Sequence, residues 1–117
     1  MMLRIVALIQ GVFYLATGVW PLFDLVSFQL VTGPKTDLWL VRTVGVLVAV
    51  VGSVLLLAYR SRRITDEIIV LAVGSALGLA AIDLVYALSG RISAVYLADA
   101  AVEVGLALMW GFARLRA

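Results

Sequence analysis

Four charged side chains stand inside stretches of sequence that are otherwise apolar: Arg42, Asp83, Asp99 and Glu103. Asp99 and Glu103 are four residues apart and so share one face of a helix, with Tyr96 and Trp110 close to the same stripe. At about 1.5 Å per residue, Arg42 lies about 6 Å, Asp83 about 8 Å, Asp99 about 10 Å and Glu103 about 16 Å inside the outer ends of their helices. A charged group at the centre of a membrane span costs roughly 2.5–3.5 kcal/mol. Side chains at such depth are expected to turn inward and meet one another. Three carboxylates around one guanidinium leave an excess of negative charge, which calls for protons on some of them or for an added cation. Glu103, the deepest, is the proton-titrating candidate.

This pattern predicts a polar, carboxylate-rich pocket built from Arg42, Asp83, Asp99 and Glu103, with Tyr14, Tyr86 and Tyr96 as its lining and as cation–π partners. Arg42 should lie within hydrogen-bonding reach of Asp83 or Asp99. A small polar or cationic ligand suits such a pocket. Buried Asp–Arg and Tyr–carboxylate networks also serve as glue between membrane helices, so the residues alone support a structural reading equally well. The outer turn adds Asp24, Lys35 and Asp37, which suit either a gated mouth or an ordinary solvated loop.

Other chemistries are excluded by what the chain lacks. It has no cysteine and no histidine, which removes disulfides, thiolate nucleophiles, Cys/His zinc sites and His-based triads. Asp99-x-x-x-Glu103 resembles a fragment of the carboxylate motifs that hold divalent metals in lipid-modifying enzymes. The second acidic pair of such motifs is missing, and Arg42 would compete for the same oxygens. No catalytic residue, metal site or cofactor is assigned. A net charge of +2 carried by scattered arginines gives no footprint for nucleic acid.

The elements that must position these residues are membrane helices. Hydrophobic residues make up 65% of the chain and charged ones 14%, with a mean hydropathy of +1.18. Soluble domains run at about 45–50% and about 25%. Four segments reach the ~20 residues that span hydrocarbon: about 3–20, 38–59, 68–88 and 92–113. In lipid they must pair their backbone groups internally, as helices do. The fold expected over residues 1–117 is one all-α, four-helix transmembrane domain with short loops.

Residues 21–34 are apolar but too short to span, and read as an interfacial or re-entrant segment over the outer mouth. Thr65 suits an N-cap, Asp37 another, and Ser89-Gly90 a helix stop. Gly45, Ala49 and Gly52 would let a neighbouring helix approach closely. Gly74 and Gly78 offer a second packing face or a contact between copies. Trp20, Trp39, Tyr59 and Trp110 lie toward helix ends, as interfacial anchors do.

Arg4, Arg60, Arg62, Arg63, Arg114 and Arg116 fall on one side and Lys35, Arg42 and Arg91 on the other, six against three. This bias places both termini in the cytoplasm. The first segment reads as a retained span, because it is long for a signal and Trp20-Pro21 makes a poor cleavage junction. A cell membrane, of the bacterial inner-membrane kind, is the expected location. The lipid bilayer is the first partner, with a second copy or another membrane protein beside it.

Two resemblances bear on class. Size and helix count resemble the small multidrug resistance transporters, which implies proton-coupled transport as an alternative. Those carry a membrane-embedded Glu in the first helix, and this first helix has no acid. Gly11-Val-Phe-Tyr-Leu-Ala-Thr-Gly18 in a first helix, four short spans and a late acid resemble the broad DoxX-like group of small bacterial membrane proteins. Val31-Thr-Gly-Pro-Lys-Thr-Asp37 and Tyr96-Leu-Ala-Asp99 read like uncharacterised bacterial proteins of this size. That likeness implies the four-helix architecture and no activity or site residue. A structural or accessory subunit of a membrane complex is the remaining class.

Overall fold

Thr65 precedes an acidic pair and a long apolar run, and its Oγ1 accepts a hydrogen bond from Ile68 N at 3.4 Å. Asp66 and Glu67 then occupy the first turn, where negative charge meets the positive end of the helix dipole. The computed structural model describes residues 1–116. Among these it contains α1 (Met2–Phe23), α2 (Leu25–Thr32), α3 (Leu38–Ser61), α4 (Asp66–Leu88) and α5 (Val95–Leu115). All but α2 are long and apolar enough to cross a bilayer. The protein is an all-α membrane bundle with four candidate spans.

Several boundaries follow the local chemistry expected of them, and others shift. Gly90 takes a φ of 81° just after α4, the left-handed stop that glycine makes at little cost. Asp37 precedes α3 without a side-chain cap, and only its backbone carbonyl meets the first turn, accepting from Leu40 N (3.0 Å) and Val41 N (3.2 Å). The segment 21–34 is mostly helical. α1 continues through Pro21 to Phe23, where the next helix takes over. Asp24 ends α1 through its N–H to Trp20 O (2.9 Å) and starts α2 by accepting from Ser27 N (3.1 Å). At eight residues α2 is about 12 Å long, too short to cross. It is tied back to α1 by Trp20, whose Nε1 donates to Ser27 Oγ (2.8 Å) and whose ring meets Phe28 edge-on.

The closest helix contact is between α1 and α3. Gly18 faces Gly45 and Gly11 faces Gly52, so the two helices run antiparallel with glycines seven residues apart on each. A Cβ on Gly18 would stand 2.5 Å from Ala49 N and 2.6 Å from Gly45 O, and one on Gly52 2.6 Å from Leu15 N. Small residues here allow backbone to touch backbone. Gly74 and Gly78 have nothing within 4 Å of where a Cβ would stand, so the chain does not use them as a second packing face.

The bundle is solid at one end and open at the other. Val6, Ala7, Leu55, Ala72, Trp110 and Ala113 form a core in the half that carries both termini. Trp110 is 0% exposed, which corrects its reading as an interfacial anchor. Its Nε1 donates to Gln10 Oε1 (2.6 Å), and Gln10 Nε2 donates to Ala72 O (3.0 Å), so one amide links α1, α4 and α5. At the same end, Arg4 donates from Nε and an Nη to Tyr59 O (3.1 and 2.9 Å), where cations suit the last carbonyls of α3.

Candidate ligand cavity

Toward the α2 end the helices border an open cavity of about 550 Å³. Its walls are mainly aliphatic and aromatic. α3 supplies Val44 and Val48, α1 supplies Phe13 and Tyr14, and α2 supplies Phe28. The acidic groups are gathered on α4 and α5: Asp83, Asp99 and Glu103 all line the space. Helix periodicity explains why. Tyr96, Asp99 and Glu103 repeat at three and four residues, on the face of α5 that continues to Leu106 and Trp110 in the core. Asp83 continues the buried alanine face of α4 through Ala72, Ala76 and Ala80.

The carboxyls differ in what their oxygens meet. Glu103 is 2% exposed and its Oε1 accepts from the hydroxyl of Tyr14, itself 1% exposed, at 2.7 Å. Asp83 is 5% exposed, and its buried Oδ2 has no hydrogen-bond donor among the described residues. Asp99 stands within side-chain reach of both. Ionised carboxyls offer one another only acceptors, so such a group needs a proton or a cation between its members. Among the described residues no basic side chain pairs with these carboxyls. Among the described residues the one ion pair is Arg114–Asp66 (2.6 Å), exposed and far down the bundle. No three acidic residues among those described are grouped closely enough to hold a metal ion. No family model, curated protein or solved structure matches this chain. Its chemistry rests on its own residues.

The expected site residues divide accordingly. Tyr14, Tyr96, Asp83, Asp99 and Glu103 come together on the cavity. Arg42 does not. It sits exposed near the start of α3, outside the cavity wall and without an ion pair or side-chain hydrogen bond among the described residues. Near a helix end a long arginine reaches the interface with little penalty, so nothing forces it inward. Tyr86 is likewise exposed near the end of α4 and does not line the cavity.

The cation at the cavity is Lys35. Its Nζ donates to Thr32 O (3.0 Å), Thr32 Oγ1 (3.1 Å) and Gly33 O (2.8 Å). It also stands 5.1 Å from the centre of the Tyr96 ring and 5.8 Å from that of Phe28. Sequence reasoning placed Lys35 in a solvated turn or at a mouth. A helix over 25–32 would have marked it as the residue that meets the last carbonyls of that helix.

Proposed function

We propose that this protein binds a small organic cation, an amine with an apolar body, in the cavity at the α2 end. The carrying observation is the acidic wall: Asp83 and Asp99 line the cavity within side-chain reach of each other, and the buried Asp83 Oδ2 has no donor among the described residues. Burying such an acceptor unpaired costs about 1–3 kcal/mol, more when it is charged, and an ammonium on the acidic wall would neutralise the carboxyl pair that Asp83 forms with Asp99. The volume falls within the roughly 300–1,000 Å³ of small-molecule pockets, and the apolar walls suit the rest of an amine. Tyr14 and Glu103 frame the acidic wall, and Glu103 is the group that would take up or release a proton when the cation leaves or arrives. The setting is a cell membrane, with both termini cytoplasmic by the arginine bias, so that the cavity opens in the outer half. Arg42 and Tyr86 have no part in the site.

Equilibrium dialysis of radiolabelled hexylamine against the detergent-purified protein tests this, with hexanol as the uncharged counterpart. Hexylamine should bind and hexanol should bind at least about tenfold more weakly, the equivalent of one charge-assisted hydrogen bond. Asp83→Asn should remove that preference. Equal binding of the amine and the alcohol, or a preference that survives Asp83→Asn, would overturn the assignment.

A further inference from the structure

The acidic wall is not the cavity's only cation seat, and the second one is already filled. Backbone carbonyls at the end of α2 and the faces of two aromatic rings, Tyr96 and Phe28, surround the Lys35 ammonium at the distances given above. Carbonyl oxygens at a helix C-terminus and aromatic faces both attract cations. The Lys35 backbone is fixed as well, because its N–H donates to Gln29 Oε1 at 3.0 Å. This seat adjoins the carboxyls: Tyr96 and Asp99 are three residues apart on α5, about 4.5 Å along its axis. Lys35 also lines a separate polar depression formed by the loops, which includes Asp37, Arg91 and Ser93. It therefore stands where the cavity meets the loops.

We infer that Lys35 is the specificity-determining residue of the cavity, a built-in second cation that makes the site select amines with one positive charge and reject diamines. This rests on the cavity being an amine site. A flexible diamine could place one ammonium on the acidic wall of Asp83 and Asp99 and the other over Tyr96 only if Lys35 were absent or uncharged. With Lys35 in place, the second ammonium meets an occupied seat and a like charge.

The test compares hexylamine with hexamethylenediamine, each by dialysis against the full chain, in wild type, Lys35→Gln and Lys35→Arg. Lys35→Gln should shift the monoamine-to-diamine affinity ratio toward the diamine by about tenfold or more, as expected for losing one close like charge in a partly desolvated site. Lys35→Arg should keep the wild-type ratio. Lys35 is the only lysine in the chain, so the folded wild-type protein offers a second route. Acetylation removes its charge and should shift the ratio, whereas reductive methylation keeps the charge and should not. A ratio unchanged by both Lys35→Gln and acetylation, with hexylamine still bound, would overturn the inference and leave the amine site standing. If no variant binds either amine, both fall.

Discussion

Asp83 and Gln10 are both polar, both buried and both on spans, yet they play opposite parts. Gln10 spends its amide on Trp110 and Ala72, whereas Asp83 keeps one oxygen without a donor. Gln10→Ala should therefore destabilise by about 2–3 kcal/mol, since it strands the Trp110 N–H in the core and removes packed volume. Asp83→Asn should change stability by less than about 1 kcal/mol or raise it, because it removes an uncompensated group. Thermal melts of the detergent-purified variants decide this, and a larger loss for Asp83→Asn than for Gln10→Ala would mark Asp83 as structural glue. The acids and Tyr14 were legible in the sequence because depth and spacing fixed both their cost and their face. Arg42 was not, because depth does not give direction. At 100° per residue it stands about 140° round α3 from Leu55, which faces the core. Trp110 was legible as part of the Glu103 stripe and misleading as an anchor, since closeness to a helix end says nothing of which side a ring faces.

At the scale of elements, the four spans follow from apolar length alone, and their caps at Thr65 and Gly90 from local chemistry. The pairing of α1 with α3 was half legible. Gly45, Ala49 and Gly52 marked one surface, but its partner required knowing that Gly11 and Gly18 face it. Small-to-large changes expose the difference between glycines that pack and glycines that do not. Gly18→Ala should cost roughly 1–3 kcal/mol through overpacking against Ala49 and Gly45 backbone, whereas Gly78→Ala should be neutral or slightly stabilising within one chain. Equal melting temperatures for the two variants would contradict the close α1–α3 contact. α2 escaped the sequence reading because its eight residues are too few for a periodic signal, and its start depends on Asp24 capping in both directions. With α2 went the role of Lys35.

Across the whole molecule, a packed half and an open half share the same four long helices, and the polar residues sort between them. Satisfied groups such as Gln10 lie by the core, while Asp83, Asp99 and Glu103 line the open half. Even numbers of spans bring both termini to one face, and the cysteine-free chain makes the orientation easy to read. Ser89→Cys should react with an impermeant maleimide on intact cells and Ser61→Cys only after lysis. The opposite pattern would invert the topology and turn the cavity toward the cytoplasm. The most direct measurement of the central claim is photo-crosslinking with an alkylamine that carries a diazirine, followed by mass-spectrometric mapping of the adducts. Adducts concentrated on the cavity walls, around Phe13, Val44 and Val102, and lost in Asp83→Asn, are the expected result. Adducts spread evenly over the lipid-facing sides of the helices, or undiminished by Asp83→Asn, would contradict an amine site in this cavity.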